Sequence, residues 1–283
     1  MKKPLILVTN DDGITAQGIL ELVNAARQLG DVLVVAPDSP QSAKGHAITI
    51  SQPIFLTKSD IFGDIEAYEC SGTPVDCVKM AKAVILEGRM PDLCVSGINH
   101  GSNAAINILY SGTVSAAMEA AIEGVPSIGF SFLNYRHDAD FSVCRPVVNR
   151  IMQHVLEHGM EVGSLYNVNI PDLPLAELKG IKVCRQAQAR WVEEYVKQQD
   201  PRGREYYWLS GRFVNEDERP DTDASALLAG YVSVVPSTHD LTNVAAFTAL
   251  KQQETELQIA GTAAADDPAS DKKQQLEQFQ GLG

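Results

Sequence analysis

Strand and helix patterns alternate from residue 4 to about residue 171, and this alternation limits the fold more than any other feature of the chain. Short runs of branched aliphatic residues, typical of buried strands, are separated by segments with apolar residues at helical spacing. The predicted strands lie at 5–9, 32–36, 93–96, 125–131 and 166–170. This order predicts an α/β fold: a doubly wound, mostly parallel sheet with helices on both faces, in three layers.

The pattern changes after Gly180, so we expect three parts in the chain. Residues 1–180 form the α/β core, and residues 181–260 form a C-terminal portion with strands, a helix and a projecting β-arm. Residues 261–283, rich in Ala, Asp and Gln, are expected to be disordered. The arm carries five aromatic residues, which either face a partner subunit or fold back on the main sheet. They are Trp191, Tyr195, Tyr206, Tyr207 and Trp208.

The first strand ends in the acidic turn Asn10-Asp11-Asp12-Gly13, just before a predicted helix. Two carboxylates therefore lie at the carboxyl edge of the sheet, where α/β proteins bind their ligands. Adjacent acids repel each other unless a positive charge lies between them. Taken alone, the turn is better explained by local chemistry than by a ligand, because Asn, Asp and Gly are all turn formers.

Three further polar segments follow predicted strands or begin a helix, and they decide between these interpretations. They contain Ser42, then Asn99 and Asn103, then Ser111-Gly112-Thr113. Carboxylate, hydroxyl and amide oxygens are ligands that suit Mg²⁺ or Mn²⁺. A helix N-terminus next to them offers an anion site. A divalent metal beside an anion site suggests phosphate-ester hydrolysis, because the metal polarises the phosphoryl oxygen and lowers the pKa of a bound water.

Several other enzyme classes are not indicated. The chain has no GxxxxGK[ST] loop, no GxGxxG after the first strand and no GxSxG. Asn10 stands where a haloacid-dehalogenase-type phosphatase would have its aspartate nucleophile. The net charge of −13 argues against a broad grip on nucleic acid.

Cysteine usage and hydropathy bear on location. The five cysteines are scattered and form no CxxC pair, which favours a reducing compartment over a zinc site or disulfide framework. No apolar run approaches 18 residues, and the N-terminus carries no signal-peptide pattern. We therefore expect a cytoplasmic protein with no membrane association.

Motifs along residues 4–260 closely resemble those of the SurE family, in the same order. The first is Val8-Thr9-Asn10-Asp11-Asp12-Gly13-Ile14, and the later ones include Ser71-Gly72-Thr73-Pro74, Val95-Ser96-Gly97-Ile98-Asn99, Tyr110-Ser111-Gly112-Thr113-Val114 and Thr222-Asp223. Several separate motifs in one order make the resemblance highly specific. It implies a Rossmann-like domain with a C-terminal portion that exchanges a β-arm in a homodimer, often a homotetramer.

The resemblance also implies an activity and a set of site residues. SurE proteins are metal-dependent phosphatases of nucleoside 5′- and 3′-monophosphates. Asp11, Asp12, Ser42 and Asn99 would hold one divalent metal per subunit, Mg²⁺ or Mn²⁺. The phosphate pocket would be formed by Asn99, Asn103, Ser111, Gly112 and Thr113. Asp11 and Asp12 would be the catalytic pair, one of them acting as base toward the attacking water.

Some questions stay open at the level of sequence. The substrate could instead be another phosphate ester or short polyphosphate, and a non-catalytic nucleotide-binding module is a further alternative. The chain departs from the family pattern at Gln17, at Ala43-Lys44-Gly45-His46 and at His100. These departures touch the rim of the pocket, so they bear on substrate preference. His100 could protonate a leaving oxygen or simply lie in a surface loop.

Overall fold

The computed structural model describes residues 3–136 and 138–257 of the 283-residue chain. The strands are β1 (Leu5–Thr9), β2 (Asp31–Pro37), β3 (Leu56–Ser59), β4 (Glu66–Cys70), β5 (Leu93–His100), β6 (Ser127–Phe132), β7 (Ser164–Ile170), β8 (Ile181–Val183), β9 (Ala189–Gln199), β10 (Glu205–Asn215) and β11 (Val232–Thr238). The α-helices are α1 (Gln17–Ala26), α2 (Pro74–Met80), α3 (Gly112–Ile122), α4 (Arg145–His158), α5 (Asp223–Leu228) and α6 (Val244–Gln252).

Nine strands form one sheet in the order β3-β4-β2-β1-β5-β6-β7-β11-β8. The strands from β4 to β7 in this order are all parallel, whereas β3 and β11 are antiparallel to β4 and β7. The α/β fold with a mostly parallel sheet is therefore confirmed. The chain builds outward from β1 in both directions, so the strand order reverses between β1 and β5. In open α/β sheets, ligands bind at the carboxyl ends of the strands at such a point.

Alternate side chains of β1 enter two separate cores, one on each face of the sheet. Ile6 and Val8 pack with residues of α1 and α4, such as Ile19 and Val148. Leu7 packs on the other face with residues of α2 and α3. The helices thus cover both faces, as a doubly wound sheet requires.

Two segments differ from the sequence prediction. The alternating pattern at residues 47–50 predicts an extended segment that pairs in a hairpin, but the backbone there bonds to side chains instead. Thr49 N–H donates to the Asp76 carboxylate at 3.2 Å, and Ala47 carbonyl accepts from the Thr73 hydroxyl at 2.7 Å. Thr73 as an N-cap followed by Pro74 predicts a helix that runs to about residue 86. The structure has α2 followed by a π-helical turn, Ala81–Ile85.

The third predicted strand is longer than its apolar run. β5 continues through Gly97 to His100, so Asn99 lies in the strand and not in the loop after it. The pairing of β5 with β6 shifts register between Ser96 and Asn99. An apolar pattern alone could not predict this, because the extension is held by pairing with a strand 30 residues away.

The chain divides into two compact units, at residues 1–239 and 240–283. In the first, β9 and β10 form the predicted arm, a two-stranded antiparallel ribbon, while β8 and β11 join the main sheet. In the second, α6 is capped by the Asn243 side chain. The tail predicted at residues 261–283 lies outside the described residues, and the domain boundaries at 180 and 260 stay predictions. Within the described residues, no helix is long and apolar enough to cross a membrane.

Candidate active site

A cavity of about 860 Å³ opens at the carboxyl ends of β1 and β5. It brings together the polar groups that the sequence placed on four separate segments. Six of the eight predicted site residues line it: Asp11, Asp12, Ser42, Asn99, Asn103 and Ser111. The other two, Gly112 and Thr113, lie directly behind Asp11.

Asp11 is buried against the first turn of α3. Its Oδ1 accepts a short hydrogen bond from the Thr113 hydroxyl. Gly112 approaches it so closely that an added Cβ would lie 2.7 Å from the Asp11 Cβ. On the other side, the Asp11 carbonyl accepts from Gln41 N–H at 2.7 Å, next to Ser42. Asp11 therefore connects the acidic turn, the loop that carries Ser42 and the start of α3.

Asp12 and Asn99 are positioned by the extension of β5. Asp12 is half-buried, and its Oδ2 accepts from His100 N–H at 3.3 Å. The Asn99 side-chain nitrogen donates to the carbonyls of His100 and Gly101, each at 3.0 Å. These bonds fix the amide so that its oxygen is the group left for a ligand.

The pKa values of both carboxylates are raised. Burial raises the pKa of Asp11 to about 6, and repulsion from Asp12 adds to the rise, while hydrogen bonds from Thr113 oppose it. Burial also raises the pKa of Asp12, and the hydrogen bond from His100 N–H partly offsets this rise. Among the described residues, neither carboxylate forms an ion pair with Lys, Arg or His.

The donor set fits a hard divalent cation. Two carboxylates, a serine hydroxyl and an amide oxygen are all oxygen ligands, as Mg²⁺ and Mn²⁺ prefer. In the part of the chain that the structure describes, no three His, Cys, Asp or Glu residues cluster as a zinc site would require. A cation held by Asp11 and Asp12 would also relieve their mutual repulsion.

The start of α3 forms one wall of the cavity. The Ser111 hydroxyl caps the helix by accepting from Val114 N–H at 3.0 Å. The positive end of the helix dipole therefore points at the same place as the carboxylates. This arrangement suits an anion that also contacts a metal, as a phosphate would.

Asn103 is tied into a network behind the cavity. Its N–H donates to Asn169 Oδ1 at 2.8 Å, and its side-chain nitrogen donates to the Ser131 hydroxyl at 2.8 Å. Its carbonyl accepts from the Asn167 side chain, also at 2.8 Å. These bonds lock Asn103 to β6 and β7 and leave its amide oxygen for a ligand.

His100 lines the cavity with a fixed ring. Its Nδ1 lies 3.3 Å from the Asn134 carbonyl oxygen, and its ring meets Phe141 edge to face at 4.7 Å between centroids. His100 is therefore held in the cavity wall and is not a free surface histidine. Lys44 is exposed and does not line the cavity.

Sequence reasoning missed the wall opposite the carboxylates, which is made largely by the arm. It contains Tyr135 and, from β9 and β10, Arg190, Trp191, Glu193, Tyr195, Leu209, Ser210 and Gly211. The indole N–H of Trp191 donates to Asn107 Oδ1 at 2.7 Å. At least this aromatic residue folds back on the core, one of the two alternatives that the sequence left open.

The base of the arm is held by Asp223, which the sequence singled out only as part of a motif. Its fully buried carboxylate accepts from Ala105 N–H at 2.8 Å and from Ala187 N–H at 2.9 Å. Ala105 begins the 3₁₀ helix Ala105–Tyr110, which leads into Ser111. Asp223 thus joins the arm to the segment that leads into the start of α3.

Comparison with known proteins agrees with this geometry. The sequence profile of a family described as "Survival protein SurE" matches residues 6–193. A protein of Christiangramia forsetii named 5′-nucleotidase SurE is 61% identical over 243 residues, which is 85% of this chain and 93% of the relative. A protein of the same name from Cytophaga hutchinsonii is 58% identical over 242 residues, covering 86% and 93%.

A solved structure supports the same assignment. The crystal structure of the SurE protein from Aquifex aeolicus matches with a TM-score of 0.76 at 42% identity. The match covers 89% of this chain and all of that one. The chain belongs to the SurE family.

Proposed function

We propose that this chain is a divalent-metal-dependent phosphatase that hydrolyses nucleoside 5′-monophosphates, and also 3′-monophosphates, to nucleoside and phosphate. One observation carries the proposal: Asp11 and Asp12 line a single cavity without an ion-pair partner among the described residues, and Asp11 lies against the first turn of α3. The relatives named 5′-nucleotidase SurE support the nucleotide as substrate.

Asp11, Asp12, Ser42 and Asn99 would hold one metal, either Mg²⁺ or Mn²⁺. When bound, the metal polarises a phosphoryl oxygen and lowers the pKa of water. The phosphate would lie at the start of α3, beside Ser111-Gly112-Thr113, where the positive end of the helix dipole favours an anion.

The remaining work falls to the side chains of the cavity. Thr113 and Gly112 hold the Asp11 carboxylate in one position, and His100 N–H does the same for Asp12. One of the two aspartates accepts the proton of the attacking water. Such a pre-set arrangement lowers the barrier because no group has to reorganise during the reaction.

A panel of phosphate esters tests the substrate class. Phosphate release is measured from AMP, GMP, 3′-AMP, glucose 6-phosphate and tripolyphosphate under one condition with Mn²⁺. The proposal expects the nucleoside monophosphates to give the highest kcat/KM. A higher value for tripolyphosphate or glucose 6-phosphate would favour the broader phosphatase. Binding of AMP by calorimetry without any phosphate release would favour the non-catalytic module.

The arm supports an oligomer built by exchange of this ribbon between subunits, as a dimer or tetramer. Its outer half carries large side chains that are more than half exposed in the single chain, including Tyr207 and Trp208. Such residues are enriched in interfaces. The portion from residue 181 to 260 would then both complete the sheet and join the subunits. Five unpaired, buried cysteines support a reducing location such as the cytoplasm.

A further inference from the structure

We propose that Trp191, on the arm, is the platform on which the base of a nucleoside monophosphate stacks. The inference rests on the proposed function and extends it, because it names the group that recognises the base. The cavity that holds Asp11 and Asp12 also holds Trp191, so one ligand can reach both.

The size and the lining of the cavity favour a ligand larger than phosphate. At about 860 Å³, it lies in the range of sites for whole small molecules. Apart from the carboxylates, the lining combines apolar surface with a few polar groups. It includes Ile106, Asn107, Tyr110, Arg190, Trp191 and Tyr195. A flat heterocycle with polar edges matches such a lining.

Trp191 is held rigidly in place, as a stacking platform should be. Its indole N–H donates to Asn107 Oδ1 at 2.7 Å, and its ring meets Phe213 edge to face at 5.7 Å. The side chain is nevertheless 40% exposed, so a ring surface stays open to a ligand. Bases stack on such aromatic faces whatever their identity.

The platform and the phosphate site belong to one connected unit. Asn107, which holds Trp191, lies in the 3₁₀ helix that leads into Ser111 and the start of α3. Asp223 bonds both this helix and the root of the arm. The base and the phosphate are therefore recognised by parts of the chain that cannot shift independently.

The first test compares a substrate that has a base with one that lacks it. Variants Trp191→Leu, Trp191→Phe and Trp208→Phe are assayed with AMP and with ribose 5-phosphate. Trp208 is the matched control, because it lies on the same arm but does not line the cavity. Circular dichroism and light scattering check that each variant keeps the fold and the mass of the parent.

We expect Trp191→Leu to raise KM for AMP about tenfold and to leave kcat/KM for ribose 5-phosphate within about twofold. Trp191→Phe keeps an aromatic face, so its KM for AMP should lie between the values for wild type and Trp191→Leu. Trp208→Phe should behave as wild type. Equal losses on the two substrates in Trp191→Leu would overturn the proposal, because the residue would then act on the shared phosphate chemistry.

A second measurement does not depend on hydrolysis. The chain has two tryptophans, so Trp191 is the only indole in Trp208→Phe. Adenosine should quench its fluorescence to saturation, whereas ribose should not. Quenching without turnover of any nucleotide would support base binding at Trp191 and contradict the proposed nucleotidase activity. Turnover of AMP without quenching by adenosine would reject the subsite and keep the nucleotidase.

Discussion

At the scale of single residues, the site depends on how closely Gly112 approaches Asp11. No side chain fits between the start of α3 and the acidic turn, since a Cβ on Gly112 would also lie 2.9 Å from Asp11 Oδ2. The contact keeps the carboxylate against the Thr113 hydroxyl. The glycine in Ser111-Gly112-Thr113 is therefore required by the position of the Asp11 carboxylate, and not only by the helix.

Gly112→Ala should lower activity by about 100-fold, because displacing a catalytic group by about 1 Å has effects of that size. Stability should fall by only about 1–3 kcal/mol, the usual result of overpacking. Gly129→Ala is the control, because its Cβ would meet its nearest atom, the Val114 Cα, at an ordinary 3.5 Å. Phosphate release and thermal melting are measured for both. Full activity in Gly112→Ala would show that Asp11 need not be held there.

Residues near the strand ends could be predicted because their signal is local. Asp11, Asp12 and Asn99 follow or end short apolar runs, so their place at the sheet edge needs only the fold class. Trp191 and Asp223 could not be assigned a role in this way. Their contacts, with Asn107 and Ala105, join segments 84 and 118 residues apart in the chain.

At the scale of elements, α3 also anchors the loop that carries Ser42. Glu119, on α3, has a side chain only 5% exposed, forms an ion pair with Lys79 at 2.5 Å and shares a hydrogen bond with His46 Nε2 at 2.9 Å. His46 lies four residues after Ser42, so this hydrogen bond fixes one end of this loop. The other end is fixed by the bond from Gln41 to Asp11.

Glu119→Gln should lower the free energy of unfolding by about 1–2 kcal/mol at pH 7, between the values for exposed and buried pairs. The pKa of Glu119 is lowered from its ordinary value of 4.5, mainly by the hydrogen bond with His46. Burial opposes this shift, whereas the hydrogen bond and charge of Lys79 add to it. The stabilisation by Glu119 is therefore present above pH 4.5 and is lost as the pH falls through the lowered folded-state pKa.

Urea unfolding from pH 3 to 7 checks this expectation, with Glu123→Gln as the control. Glu123 pairs with Lys82 near the end of the same helix, but its side chain is 30% exposed. The control should lose less than about 0.5 kcal/mol. The contribution of Glu119 is refuted if the free energy of unfolding of Glu119→Gln falls toward pH 3 as steeply as that of the wild type.

The elements themselves could be predicted except where side chains or distant strands replace local pairing. Apolar periodicity located α1 and α4, because each buries a stripe on the sheet, whereas the small residues of α3 indicated a helix packed closely on the sheet. The segment at residues 47–50 alternates as a strand would, but its backbone bonds to the Asp76 and Thr73 side chains instead of pairing with a strand. No local rule distinguishes these two outcomes.

At the scale of the whole molecule, the arm has two roles that can be separated. Its root lines the cavity, whereas its outer half is proposed to join subunits. Tyr195 and Leu209 lie opposite each other in the ribbon. Replacing residues 196–208 by Asn-Gly would close the ribbon with a two-residue hairpin turn, remove Tyr207 and Trp208, and keep Trp191.

The truncated arm should reduce the mass measured by light scattering toward that of one 30.6 kDa chain. Phosphate release from AMP should persist even when the oligomer dissociates, because the residues that line the cavity remain. Circular dichroism confirms that the sheet is intact. An unchanged mass would refute exchange of the arm between subunits.

The most direct test of the central claim is the dependence of AMP hydrolysis on a metal held by Asp11. Chelated and dialysed protein is assayed for phosphate release alone, with added Mg²⁺ or Mn²⁺, and as Asp11→Asn. We expect no activity without metal, recovery on adding either ion, and a loss of at least about 1,000-fold in Asp11→Asn at saturating metal. Undiminished hydrolysis by the chelated protein, or wild-type activity in Asp11→Asn, would contradict the account.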